Sequence, residues 1–195
     1  MRWDPSQYAR YADERGRPFA DLLTRIGAAA PRRVIDLGCG PGSLTAGLVE
    51  RWPGARVEGV DSSEEMIATA AALAADRLSF RLGDVADFAV PADADVVLSN
   101  ATLQWVPGHR ALLARWAADL PPGGWLGFQV PGNFASPSHA LMRELAGSPR
   151  WAARLGGVLP HDDAVAEPVE YAELLLAAGL EVDVWETTYV HVLQG

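Results

Sequence analysis

Val34-Ile35-Asp36-Leu37-Gly38-Cys39-Gly40-Pro41-Gly42-Ser43 is the stretch that decides the fold. Arg33 to Leu37 reads as a short apolar strand that runs straight into glycines. Leu44 to Arg51 then reads as a helix, stopped by Pro53-Gly54. Glycines between a strand and a helix let a ligand approach the backbone, and the helix start offers free N–H groups. By itself such a loop is equally a plain tight turn. Two details narrow the reading. The spacing is G-x-G-x-G, and Ser43 stands where the dinucleotide pattern has its third glycine. Asp36 ends the strand, where a carboxylate repels a pyrophosphate but suits a cofactor carrying an ammonium and a sulfonium. The loop has no Lys, so it is not a P-loop.

The alternation continues outward from this loop. Arg56–Val60, Leu78–Leu82, Ala94–Ser99 and Trp125–Val130 read as strands, and Glu181–Tyr189 as a late one. Ser63–Ala75, His109–Leu120, Pro137–Ala146 and Val169–Ala178 read as helices. On the N-terminal side a short helix is expected over 6–15 and another over Pro18–Ala30, with Phe19, Leu22, Leu23 and Ile26 on one face. This pattern predicts an α/β, doubly wound, Rossmann-like and mostly parallel sheet with helices on both faces. Ligands on such sheets bind at the carboxyl ends of the strands.

Two further acids fall at those ends. Asp61 ends the second strand, where a carboxylate accepts two ribose hydroxyl bonds. Asp61 also suits a helix cap, as do Ser62, Ser63 and Glu64. Asp84, in Gly83-Asp84-Val85, ends the third strand; its carboxylate can accept from an adenine amino group while Val85 N–H faces a ring nitrogen. Three successive strands ending in Asp at one edge are hard to assign to turns alone.

Bulk composition sets the bounds. With 195 residues, 49% of them hydrophobic and 21% charged, the chain holds one domain with a sizeable core. A net charge of −9 argues against nucleic acid, yet permits a small anionic substrate gripped by a few local cations. Cys39 is the only cysteine, which rules out an internal disulfide and a Cys-based zinc site. His109, His161 and His191 lack metal-ligand spacing, so no metal is expected. No secretory h-region and no long apolar run stand in the chain. The expectation is a cytoplasmic protein with no membrane partner and an open oligomeric state.

The set Asp36-x-Gly38-x-Gly40-x-Gly42, Asp61 and Gly83-Asp84 resembles the class I S-adenosylmethionine methyltransferases over residues 30 to 130. The resemblance implies S-adenosyl-L-methionine as cofactor. The glycine loop would lie under its methionine portion, Asp61 with Ser62 would hold the ribose, and Asp84 the adenine. Met66 would pack on the adenine. Asn100 can take the cofactor's amino group through its carbonyl. The fourth strand runs into Asn100-Ala101-Thr102-Leu103-Gln104-Trp105 without the Asn-Pro-Pro-Tyr of many amino-methylating members, which lowers N-methylation of DNA bases or glutamine. Gln104 and Trp105 line the cavity in this reading, although Trp105 is equally suited to packing on the next helix.

A closer likeness, over nearly the whole chain, is to the trans-aconitate methyltransferases. It rests on Trp3-Asp4-Pro5 with Tyr8, on Arg15–Pro18, Asn100–Val106 and Gln129–Asn133, on Pro137–His139 with Met142–Glu144, and on Val182–Tyr189. Gly132 departs from it, where Asp is frequent. The resemblance implies methylation of one carboxylate of a small polycarboxylate substrate. A carboxylate has a pKa near ~4 and needs no general base, so no catalytic residue is expected beyond groups that orient. Arg17, His139 and Arg143 are the candidate grips, with Asn133 beside them; Trp3 and Tyr8, with Tyr11, would form a lid. Each has a plainer alternative: Arg17 solvated, Arg143 paired with Glu144 or Glu173, His139 at a helix start, the N-terminus packed on the sheet. The domain then divides into a helical lid over 1–30, a cofactor-binding core over 31–130 and substrate-side elements over 131–195. The family sheet ends in a further strand beside the fifth, so the reading expects a chain shortened before that strand. Another small-molecule methyltransferase, or a cofactor-binding module without turnover, are the competing functions.

Overall fold

The computed structural model of the chain describes residues 12–158 and 164–190. Trp3, Tyr8, Tyr11, His161 and His191 lie outside them. Five strands form one sheet: β1 (Arg33–Leu37), β2 (Arg56–Asp61), β3 (Leu78–Leu82), β4 (Val96–Asn100) and β5 (Trp125–Gln129). Their order is β3-β2-β1-β4-β5, and every pairing is parallel. The chain winds from β1 out through β2 to β3, then returns to β1's other side for β4. The strand order therefore reverses beside β1, and the crevice at its carboxyl end is where such sheets bind ligands.

Helices cover both faces. One face, carrying Val34, Val57, Leu78, Val96 and Leu98, packs under α1 (Ala12–Arg25) and α2 (Ser43–Arg51) through Phe19, Ile26, Leu48 and Trp52. α3 (Glu64–Ala70) lies against β2 and β3. The other face, carrying Ile35, Leu37, Val60 and Val97, packs on α4 (His109–Asp119) and α7 (Pro168–Ala177) through Leu113, Trp116 and Tyr171. Gly127 on β5 lets α1 sit close: an added Cβ would stand 2.7 Å from Ile26. The remaining helices, α5 (Pro137–Gly147) and α6 (Ala152–Leu155), follow β5.

Three sequence expectations change. Of the helix expected over 6–15, residues 6–11 lie outside the described residues, and its end is continuous with the next helix as Ala12–Arg25, with Pro18 inside it. Proline forfeits one intrahelical bond, but the apolar face of Phe19, Leu22 and Ile26 is buried and holds the helix through that position. The helix ends earlier than expected, before Gly27, where an added Cβ would stand 3.0 Å from the Trp125 indole. The helix expected over 63–75 narrows to α3 and a tighter turn, Ala71–Leu73. Glu181–Tyr189 is extended but pairs with no strand among the described residues. Side chains dock it on α1 instead. Arg25 bridges Asp183 at 3.0 Å and lies 5.0 Å from the Trp185 ring, and the Tyr189 hydroxyl donates to Asp21. Alternation in sequence reports an extended segment, not whether a neighbour with free backbone groups lies beside it.

His109 is a buried polar anchor between α4 and α7. Its Nε2 lies 2.7 Å from the Tyr171 hydroxyl, which also accepts the Ala166 N–H at 3.1 Å. Burial holds the His109 pKa below its usual value, against a bond to the Val106 carbonyl that pulls it up. The folded state thus refuses a proton that the unfolded chain accepts. His109 should contribute stability that is full above roughly pH 6.5 and falls as pH drops below it. Urea melts from pH 8 to 5 check this: wild type loses stability toward acid, and His109→Gln removes that part of the slope.

Candidate active site

The glycine loop is shaped by backbone that only glycine adopts easily. Gly38 and Gly40 have φ of +77° and +55°. A Cβ on Gly38 would also stand 2.0 Å from Thr102 Oγ1, whereas one on Gly40 would meet nothing within 4 Å. Gly38 is therefore fixed by packing, and Gly40 faces open space.

Asp61 holds this loop in place. One carboxylate oxygen accepts the Gly40 N–H at 2.9 Å and the other the Ser63 N–H at 2.9 Å. The cap of α3 is Ser63, whose hydroxyl accepts the Met66 N–H at 3.3 Å. Asp61 is thus a latch on both sides, and each oxygen keeps a lone pair for a ligand. Ser62 beside it is exposed, and Met66 is buried below.

Asp36 is buried and has no cation beside it among the described residues. Its carboxylate accepts the Thr45 hydroxyl at 2.6 Å. Burial, with the nearby Asp61 charge, raises its pKa to about 6 against the lowering effect of Thr45. The same burial and the two acids push the Cys39 thiol far above its usual range, so this thiol is inert. Asp36, Gly38, Cys39 and Asn100 line one hollow with Pro41, Ser43, Leu44 and Phe19 of α1.

The next strand end carries the third acid. Gly83 N–H donates to the Asp61 carbonyl at 2.9 Å, and Asp84 accepts the Ala86 N–H at 2.8 Å, starting a tight turn over Val85–Asp87. Val85 is buried there. The structure therefore gathers Asp36, the loop, Asp61 and Asn100, with Gly83-Asp84-Val85 adjoining.

The acceptor-side candidates divide. Gln104 donates through Nε2 to the Ala101 carbonyl at 2.7 Å. Ala101 is the non-glycine residue with positive φ, +53°, so the turn after β4 is held in a costly shape. Trp105, on the turn Leu103–Trp105, is 43% exposed. Asn133, His139 and Arg143 cluster around Phe134. Asn133 is exposed, and its carbonyl accepts the Ser136 N–H. His139 meets the Phe134 ring edge-on, and Arg143 donates to the Phe134 carbonyl at 2.7 Å. Arg17 sits 4.8 Å from the centre of the Tyr189 ring. Thr45 and Phe19 join the site without having been read as site residues in the sequence. Among the described residues no group of three or more His, Cys, Asp or Glu is placed to hold a metal.

A buried acid without a cation, an open glycine loop and an orphaned buried acceptor, Asn100 Oδ1, together fit a ligand rich in positive charge and N–H donors. Fold and site define a class I, S-adenosylmethionine-dependent methyltransferase. Residues 34–124 match the family model described as "Methyltransferase domain". A solved structure of a putative methyltransferase with its Trm112 activator, from Haloferax volcanii, matches with a TM-score of 0.67 and 26% identity, covering 91% of this chain and 74% of that one. A trans-aconitate 2-methyltransferase of Streptomyces avermitilis is 56% identical over 99% of this chain and 74% of its own length. One from Mycolicibacterium gilvum is 55% identical over 99% and 75%. The chain belongs to the trans-aconitate 2-methyltransferase family.

Each of the first two acids has its own test. A cationic cofactor favours ionised Asp36, so its affinity should rise with pH up to about 6 and level off above. By linkage the loss at a pH one unit below is about tenfold, and Asp36→Asn flattens the profile. Titration calorimetry at stepped pH reads this directly. Asp61→Ala unlatches Gly40 and should weaken cofactor binding roughly tenfold or more; unchanged affinity would show that the loop holds without it.

Proposed function

We propose that this protein transfers a methyl group from S-adenosylmethionine to a carboxylate oxygen of trans-aconitate, giving a monomethyl ester. The observation that carries this reading is the 56% identity, over 99% of the chain, with a relative that bears that activity in its name. The acceptor is a small polycarboxylate met in the cytoplasm, with neither nucleic acid nor membrane as partner.

Asp36, the glycine loop and Asn100 would hold the cofactor's methionine end. Asp61 with Ser62 would hold the ribose, and Gly83, Asp84, Val85 and Met66 the adenine. The bound cofactor supplies a methyl group on a sulfonium, an electrophile that needs no further activation. The chain then has only to fix a carboxylate oxygen in line with that methyl and to keep water out. The oxygen is ionised at neutral pH, so no side chain has to take a proton from it. Holding two reactants in register is worth an effective concentration of roughly 10⁵ M or more. Arg17, Gln104, Trp105, Asn133, His139 and Arg143 supply the acceptor side of this reading.

Residues 1–30 serve in it as a lid. α1 supports that role, because Gly16 lies beside Leu44 at the start of α2 and Phe19 lines the hollow. Trp3 and Tyr8 would complete the cover. Residues 31–130 form the cofactor core, and 131–195 the acceptor side.

The test is incubation with S-adenosylmethionine and a panel of di- and tricarboxylates, followed by mass spectrometry. The expected product is a monomethyl ester, formed fastest from trans-aconitate. Protein that binds cofactor and yields no such ester would overturn the assignment.

A further inference from the structure

Three buried side-chain oxygens have no hydrogen-bond partner among the described residues: Asn100 Oδ1, Gln104 Oε1 and Gln129 Oε1. All belong to carboxamides at or just beyond the carboxyl ends of β4 and β5. A buried polar atom without a partner costs about 1–3 kcal/mol, so such a cluster marks where a ligand or ordered water belongs. Gln104 is anchored through its nitrogen on Ala101. Among the described residues the amide nitrogens of Asn100 and Gln129 have no such anchor, and they are not among the buried polar atoms without a partner. The two residues are register partners across β4 and β5. Asn100 also shares a face with Asp36, since Asp36 pairs with Leu98 two residues earlier. Gln129 therefore stands on the cofactor face, one strand spacing (about 4.8 Å) outward from Asn100.

We propose that Gln129 is a specificity-determining residue, whose amide N–H donates to a non-reacting carboxylate of the acceptor. This rests on the polycarboxylate reading above. Arg143 spends one N–H on the Phe134 carbonyl and Arg17 lies over the Tyr189 ring, so a neutral donor at Gln129 adds to the grip of these two cations. A carboxamide fits this place better than a charged group. Its oxygen accepts from a donor on the cofactor side while its nitrogen donates to an anion on the other.

Gln129→Glu keeps the acceptor oxygen, removes the donor and adds a repelling charge. Acceptor affinity, measured by calorimetry with trans-aconitate on protein loaded with S-adenosylhomocysteine, should fall ten- to a hundredfold, with KM rising in step. Cofactor affinity should not fall, because the acceptor oxygen is kept and the added charge faces a cation, and Gln129→Asn should recover part of the loss of acceptor affinity. Unchanged trans-aconitate affinity in Gln129→Glu, with wild type still forming the ester, would overturn the role of Gln129 alone. Wild type that neither binds nor esterifies trans-aconitate would overturn the acceptor reading and this inference with it.

Discussion

A carboxylate buried with no cation beside it among the described residues is the constraint around which this structure is arranged. Asp36 lies one residue before the end of the central strand, with a strand on either side, and is buried. Raising a carboxyl pKa to about 6 costs roughly 3 kcal/mol at neutral pH, a cost that grows as pH rises from about 4 to 6. Thr45 offsets part of it, and Asp61 adds to it. A sequence under pressure for stability alone would place an apolar residue there. A cationic ligand would turn the same burial into strong attraction, in a medium where charges are poorly screened.

The second acid has a mechanical role that the first cannot fill. Asp61 fixes Gly40 from one side and the entry to α3 from the other, so a single carboxylate joins the ends of β1 and β2 into one surface. The Gly83 N–H, held by the Asp61 carbonyl, extends this surface to β3. The three strand ends read as ligand groups are therefore also scaffold. The two roles do not compete, because a carboxylate offers more lone pairs than the backbone takes up.

What the sequence could and could not disclose follows from range. β1, β3 and β5 lie within a residue of their expected bounds, and β4 is shifted by two residues at its start; the central β1 and β4 are buried and largely apolar, whereas the edge strand β3 alternates as Leu78, Phe80 and Leu82. The glycine loop was legible because its spacing is local. Thr45 was not, since only the turn of α2 brings its hydroxyl to Asp36 across nine positions. Nor was Gln129, which in sequence is one polar residue at a strand end; the register with Asn100 gives it a place. The assignment of 181–189 to a strand failed for a related reason. Its alternation is real, but its side chains face α1 rather than a strand that pairs with it.

Charge explains why neutral groups matter on the acceptor side. Asp36 and Asp61 stand close enough for their charges to interact, and the chain as a whole carries −9. A polycarboxylate approaching that surface meets repulsion until a cation occupies the hollow. Strong cationic grips placed nearby would relieve the repulsion but would also compete for Asp36 and Asp61, collapsing the pocket onto its own acids. The structure avoids this. Arg17 and Arg143 contact a ring and a carbonyl, and the polar residues on the Asp36 face at the ends of β4 and β5 are carboxamides. Carboxamides cannot neutralise Asp36 and cannot be repelled by it, so such groups would leave the acid available to a methyl donor while an anion is recognised one strand away.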